Sequence, residues 1–223
     1  MAAPPAVDFY YGLGSRYSYL ASTQIGRLEA ETGCRVRWRP LFSGDLFAAR
    51  GADPFQGPPV SGQYHWAWRR FDAACWADYY DVPFREPADV RFDGRRLALA
   101  ATAAARLGTV ERYSRRLLEA VFIAGTSPLD DAALLEFARA AGLEPVSFAA
   151  TLDDPRTAAA LATTVTEALA AGVFGVPSIV LGGQVFWGND RLPLVRHRLL
   201  ELGGGGQSPD QRKRGSTQSG AAP

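Results

Sequence analysis

Lysine is almost missing from this chain. The single one, Lys213, lies near the C-terminal end, and arginine carries nearly all the positive charge. The 24 Lys and Arg residues against 23 Asp and Glu leave a formal net charge of +1. Near-balance argues against a nucleic-acid footprint, which needs a strongly basic face. Histidine is as scarce. His65 and His197 stand alone, outside any HExxH or Ser-His-Asp pattern, so surface or packing roles are expected and no metal site. Cysteine is limited to Cys34 and Cys75, far apart and in neither CxxC nor metal-ligand spacing. Two small buried or half-buried thiols are expected rather than a disulfide framework. No uncharged run approaches about 18 residues, so no membrane span is expected. The opening MAAPPAVDFYYG has no basic segment followed by a long apolar one, so no signal peptide is expected. These absences point to a soluble, cytoplasmic protein that binds neither membrane nor nucleic acid.

What is present is apolar. Hydrophobic residues make up 47% and aromatics 11% of 223 residues, enough for a substantial core in one or two domains. Ala6–Tyr11 is a β-branched and aromatic run, a first strand. Gly12-Leu13-Gly14 breaks it, and Tyr17–Thr32 follows with apolar residues near helical spacing. Gly33 closes that helix. Cys34–Arg39 alternates as a second, half-exposed strand, and Pro40 ends it. From Leu41 the pattern changes. Asp45–Arg50 reads as a short helix and 51–62 as a Pro/Gly-rich loop. Gln63–Tyr80 reads as a helix whose aromatic band (Trp66, Trp68, Phe71, Trp76, Tyr79, Tyr80, with Tyr64) is expected mostly in the core, with some of it able to line an apolar cleft between the insertion and the sheet. Arg95–Leu107, Val110–Ala124, Asp130–Ala141, 146–151 and Pro155–Ala171 read as further helices. Ser178–Leu181 and Gln184–Trp187, joined by Gly182-Gly183, read as a β-hairpin. Leu192–Leu202 reads as a last helix.

The pattern is a β-α-β half and a β-β-α half with an all-helical block between them. It predicts an α/β protein with a thioredoxin-like fold and a helical insertion: 1–44 and 172–205 as the two parts of the thioredoxin-like domain, 45–171 as the insertion. The segment 206–223, polar and carrying Arg212-Lys213-Arg214, is expected to be a disordered tail.

In such a fold the turn after the first strand, at the N-terminus of the first helix, is the reactive position. Unpaired N–H groups and the helix dipole favour an anion there, and would lower the pKa of a thiol held nearby. Here the four residues are Ser15-Arg16-Tyr17-Ser18, with no cysteine at either end, which excludes dithiol exchange at that turn. Ser15 is either a plain N-cap or a hydroxyl donor to an external thiolate. Val176-Pro177 either opens an edge strand or, as a cis bond, presents the backbone of Val176 to a peptide-like ligand. In Trp187-Gly188-Asn189-Asp190, Asn189 or Asp190 can cap the last helix. Alternatively, Asp190 can accept from an ammonium while free N–H groups hold a carboxylate. Arg69 and Arg70, within the aromatic band, can hold a carboxylate bidentately.

Two segments carry a resemblance. FYYGLGSRYSYL (Phe9–Leu20) resembles the FYxxxxSPYSYL opening of the 2-hydroxychromene-2-carboxylate isomerase and kappa-class glutathione transferase family. GVFGVPSIVLGGQVFWGNDRL (Gly172–Leu192) resembles its FGVPxxxxxGxxxWGxDRL closing motif. Between them, Trp76–Pro83 is similar to its WAxxYGIP and Arg95-Arg96 falls in its usual place. The likeness implies a DsbA-like thioredoxin fold, a homodimer, and glutathione (or another small thiol) as cofactor. It implies a glutathione-dependent cis–trans isomerase of an aromatic or conjugated substrate. A glutathione transferase, another thiol-dependent biosynthetic enzyme and a non-catalytic binding module are the alternatives. By this resemblance Ser15 is the catalytic serine holding the thiolate. Val176 pairs with the cysteinyl part, and Trp187, Gly188, Asn189 and Asp190 grip the γ-glutamyl end. The chain departs from the family in three places. Arg16 replaces the proline after the serine. Ala52 stands where asparagine is usual. The family's lysines near the substrate are absent, with Phe47 at one such place, so a substrate carboxylate would have to be held by Arg50, Arg69 or Arg70.

Overall fold

The alternation in AVDFYY decides how the first element is used. In the computed structural model, which describes residues 5–51, 65–87, 92–126 and 129–203, β1 (Ala6–Tyr11) is buried on both faces. Val7, Phe9 and Tyr11 enter one core and Tyr10 the other. Such a strand must be covered on both sides. The expected Pro/Gly-rich loop beyond Gly51, Ala52, Tyr64 and the tail from 206 lie outside the described residues.

The sheet has four strands in the order β2-β1-β3-β4. β2 (Arg35–Pro40) runs parallel to β1, with Phe9 opposite Trp38. β3 (Ser178–Leu181) runs antiparallel on the other side of β1, and β4 (Gln184–Trp187) antiparallel to β3. A parallel pair needs a crossover, and α1 (Arg16–Thr32) supplies it. Gly33, at φ 67°, ends α1 with its N–H on the Glu29 carbonyl, a left-handed stop that favours glycine. Pro40 pairs opposite Tyr11 within β2 rather than lying beyond it; as an edge strand, β2 tolerates the missing donor.

Between β2 and β3 the described elements are helical: α2 (Ser43–Arg50), α3 (Trp66–Tyr80), α4 (Gly94–Arg106), α5 (Val110–Glu119), α6 (Asp131–Ala140), α7 (Pro145–Asp153) and α8 (Pro155–Ala170). α9 (Leu192–Gly203) closes the chain's described part. Caps set several of these starts. Asp93, Asp130, Glu144 and Asp154 each accept first-turn N–H groups, and Pro145 and Pro155 sit in the first turns of α7 and α8. The segment expected as one helix over Val110–Ala124 changes pitch. Its last turn, Ala120–Ala124, is a π-helix, and the Phe122 carbonyl accepts the Arg85 N–H at 2.6 Å from outside the helix.

The aromatic band of α3 contradicts the expectation of a core role. Trp66, Trp68, Phe71 and Tyr79 are exposed, while Ala73 and Ala77 are buried. Two alanines one turn apart form the stripe that packs inward, and the large rings lie off it; only Trp76 and Tyr80 are half-buried. Cys75, on the same helix, is likewise exposed rather than buried, whereas Cys34 is buried.

Phe9, Tyr11 and Trp38 pack with ring centroids 5.1–5.2 Å apart. The Tyr11 hydroxyl shares a 2.6 Å hydrogen bond with Ser114 Oγ, joining sheet to α5 in the core. On the other face Tyr10 meets Leu41, Leu46, Val165, Ala168 and Val173, so α2 and α8 cover it. Among the described residues no helix is long and apolar enough to cross a membrane.

Candidate active site

The turn between β1 and α1 presents Ser15. Its N–H donates to the Gly12 carbonyl at 3.0 Å, and its Oγ accepts the Ser18 N–H at 3.2 Å. Ser18 Oγ in turn accepts the Gly12 N–H at 3.2 Å, locking the turn from inside. Ser15 is therefore the N-cap of α1. Accepting that bond uses a lone pair and leaves the hydroxyl proton available for another acceptor. The positive end of α1 lies at the same place, which favours an anion.

The Val176-Pro177 peptide is cis. Its loop abuts the Ser15 turn because Gly12 has no side chain: a Cβ there would come within 3.2 Å of Val176 Cγ2. Among the described residues the backbone N–H and C=O of Val176 have no partner. The next residue ties this loop to the closing turn, since the Pro177 carbonyl accepts the Gly188 N–H at 2.9 Å.

Gly188 holds φ 114° and ψ 154°, a region essentially reserved for glycine. A Cβ there would also meet Asp190 Oδ1 at 2.2 Å, so the carboxylate folds back over the missing side chain. Asp190 stays partly open to solvent beside Arg191, at 3.3 Å. Asn189 behaves differently. It is 3% exposed, and the Tyr80 hydroxyl donates to its carbonyl at 3.0 Å, so it anchors the turn to α3. Trp187 is exposed and packs on Phe174 at 5.1 Å. Its indole nitrogen lies where a side chain on Gly175 would be.

A cavity of about 320 Å³ opens beside Ser15. The turn residues Gly12–Arg16 form one wall. Leu41, Phe42, Ser43, Trp66, Phe92 and Phe122 form most of the rest. Close approach shapes it: Gly14 leaves room for the Phe92 ring and Gly94 for the Phe42 ring. Phe47 and Arg50 do not line it. Both sit on α2, but it is the start of that helix that faces the cavity, and Arg50 is exposed at the far end. Arg70 is exposed too, and Arg69 lies with its guanidinium over Tyr17 at 5.5 Å.

Arg16 lines the cavity instead. It is buried, pairs with Glu86 Oε1 at 2.8 Å, and its guanidinium lies 4.3 Å from the centre of the Trp66 ring. Burial pushes its pKa down and that of Glu86 up, and each partner's charge opposes the other's shift. Sequence reasoning missed Glu86 and Phe42, which come from a loop and a helix cap with no motif around them and which only folding brings to the turn. Trp66 was read only as one ring of the aromatic band, and Phe174 only as part of the closing motif. The site thus offers a hydroxyl donor at a positive helix end, an unpartnered backbone segment among the described residues and a largely apolar chamber. Such a set suits a soft anion attached to a peptide-like body, with an apolar group alongside.

Comparison with known proteins agrees with this architecture. A family model described as "DSBA-like thioredoxin domain" matches residues 6–200. A 2-hydroxychromene-2-carboxylate isomerase of Sphingobium xenophagum is 29% identical over 196 residues, covering 87% of this chain and 98% of that protein. One of Pseudomonas putida is 26% identical over 198 residues, covering 88% and 95%. Among solved structures, a 2-hydroxychromene-2-carboxylate isomerase superposes with a TM-score of 0.77 at 23% identity, over 96% of this chain and 100% of that one. The cytosolic disulfide reductase DsbM of Pseudomonas aeruginosa, solved with GSH, gives 0.61 at 20% identity, over 88% and 98%. The fold is the DsbA-like thioredoxin fold, and the chain belongs to the DSBA-like thioredoxin domain family.

Proposed function

We propose that this protein is a thiol-dependent cis–trans isomerase of the 2-hydroxychromene-2-carboxylate isomerase kind, using glutathione or a similar small thiol on an aromatic or conjugated substrate. The observation that carries the reading is Ser15: an N-cap whose hydroxyl proton has no acceptor among the described residues, at the positive end of α1, on the wall of a largely apolar cavity. The relatives named as isomerases supply the reaction class.

The residues present fit a thiol tripeptide. Ser15 would hold the sulfur as an anion, helped by the end of α1. The free backbone groups of Val176 would pair with the cysteinyl part as an added strand does. Asp190 and the Gly188 turn would take the γ-glutamyl end, while Asn189 fixes the turn from below. When bound, the thiol supplies a nucleophilic sulfur that adds reversibly to a conjugated system and so frees rotation about its double bond. The protein's own part is to keep that sulfur ionised at Ser15 and to set the conjugated group beside it in a chamber walled by Phe42, Trp66, Phe92 and Phe122. A cytoplasmic setting, where small thiols are plentiful, fits the two free cysteines.

Calorimetric titration with glutathione tests this. Binding by the wild type, weakened in Ser15→Ala and in Asp190→Ala, is the expected result. No heat at millimolar thiol would overturn the reading. Following 2-hydroxychromene-2-carboxylate by absorbance with and without glutathione then tests the substrate, since an isomerisation rate indifferent to thiol excludes it.

A further inference from the structure

The Arg16–Glu86 ion pair has only one arm closed. Nη2 meets Oε1 at 2.8 Å, and the Arg16 side chain is 6% exposed. Nη1 of Arg16 and Oε2 of Glu86 are buried as well, yet among the described residues neither has a hydrogen-bond partner. Both residues line the cavity beside Ser15. A buried donor and a buried acceptor left unmet in one ion pair are costly, so the open arm is a place where a ligand gains by binding.

The chemistry of the arm narrows that ligand. A hydroxyl has the chemistry both atoms lack: its oxygen can accept from Nη1 and its O–H can donate to Oε2. An ether oxygen takes the Nη1 bond but leaves Oε2 unmet. A carboxylate also accepts from Nη1, but it has nothing to donate and meets Glu86 as a like charge. Arg69 and Arg70 add positive charge around the pair and oppose the upward push that burial exerts on Glu86. Apart from Ser15 and Ser43, the side chains of the remaining walls are apolar and aromatic.

We propose that the open arm of Arg16 and Glu86 is the polar anchor for a phenolic or enolic hydroxyl on the conjugated substrate, and so a specificity determinant of this cavity. The proposal rests on the cavity being the substrate chamber of the proposed function. It is a property of this chain's own residues. Arg16 occupies the first position of α1, where proline is readily accommodated, and proline would offer neither donor nor charge.

The test uses 2-hydroxybenzylideneacetone, its methyl ether and its 2-carboxy analogue, titrated against the full chain by quenching of tryptophan fluorescence. The wild type is expected to bind the hydroxy probe about tenfold more tightly than the ether, the scale of one hydrogen bond to a charged group. The carboxy analogue should bind no better than the ether. In Arg16→Met/Glu86→Leu both charges leave together, so no lone buried charge remains, and the preference should fall to about one. If that variant fails to fold, Arg16→Pro/Glu86→Leu serves the same purpose. A wild-type ratio near one, meaning the arm holds only water, would overturn the proposal. So would a preference that survives the double variant. Glutathione titration of the same wild type reports separately: thiol binding without a hydroxyl preference sinks the anchor alone, and a preference without thiol binding sinks the thiol reading alone.

Discussion

Ser15 serves two purposes with one oxygen, and substitutions can separate them. Its lone pair caps α1 through the Ser18 N–H, a bond whose loss costs about 1 kcal/mol. Its proton is the group offered to the thiolate. Ser15→Ala should therefore lower both stability, by about 1 kcal/mol, and thiol binding. Ser15→Asp keeps a good cap but puts a negative charge where the sulfur anion would sit. Its melting temperature should stay near wild type while glutathione binding, read by calorimetry, is lost. If Ser15→Asp still binds the thiol, Ser15 is a cap and nothing more. Gly188 poses a different question. At φ 114° any side chain is strained and would collide with Asp190, so Gly188→Ala should cost about 1–3 kcal/mol. It should weaken thiol binding as well, because relieving the strain moves the Asp190 carboxylate.

At the scale of elements, α4 is the tie between the helical segments. Arg95 at its start meets Asp45 of α2 at 3.1 Å. Arg96 reaches both Asp131 at the start of α6 and Asp153 at the end of α7, at 2.8 and 2.9 Å. Near the other end Arg106 bonds Thr157 at 2.6 Å and Asp154 at 3.1 Å, both at the start of α8. Arg96→Met removes charge while keeping the stem. It should cost about 1 kcal/mol, the range of a partly exposed network, measured by chemical denaturation. A loss within error would mean that packing alone positions α6 and α7. The sequence had the pair Arg95-Arg96 but not its purpose, since the partners are 35 or more residues away. Tyr11 makes the corresponding tie in the core. Tyr11→Phe strands Ser114 Oγ without its 2.6 Å partner, at an expected cost of about 1–2 kcal/mol in the same measurement.

The whole molecule wraps two cores around one strand, with the cavity where the β1–α1 turn meets residues from between β2 and β3. Its acid response follows from the caps and surface pairs. Glu144 is held below the ordinary carboxylate range by the N–H groups of Val146 and Ser147, Asp131 by Arg96, and Asp154 by Arg156. A carboxylate whose pKa is lowered on folding stabilises the protein above its unfolded value and loses that contribution as pH falls through its folded value. Glu86 works in the opposite sense, because burial raises it and acid relieves the cost of its charge. The lowered groups outnumber it. Melting temperature should be flat from neutrality to about pH 5 and decline below about pH 4, where carboxylates titrate. A rise in that lower range would show that buried Glu86 governs instead.

Local rules were enough for much of this. Alternation in Ala6–Tyr11, the glycine stop at Gly33 and the Gly182-Gly183 turn are matters of a few adjacent residues, and the strands and most of the helices stand where such patterns place them. Ser15, Val176, Gly188 and Asp190 could be singled out as candidates because each sits in a turn only a few residues long, but local chemistry alone left a plain cap or strand opening as readily available, and their proposed roles rest on the resemblance of the two end motifs. What only the tertiary structure decided is how distant turns face each other. Gly12 brings the Val176 loop against the Ser15 turn because a missing Cβ permits it, and no local pattern announces such a contact. The aromatic band of α3 faces outward because the inward stripe is Ala73 and Ala77; hydrophobicity along the helix alone ranks the rings first, while close packing against a neighbour selects the small residues. The same holds for Arg16. In the sequence it is a substitution beside a serine, but burial against Glu86 and Trp66 makes it a charged wall of the cavity, because desolvation and pairing depend on what lies across space rather than along the chain.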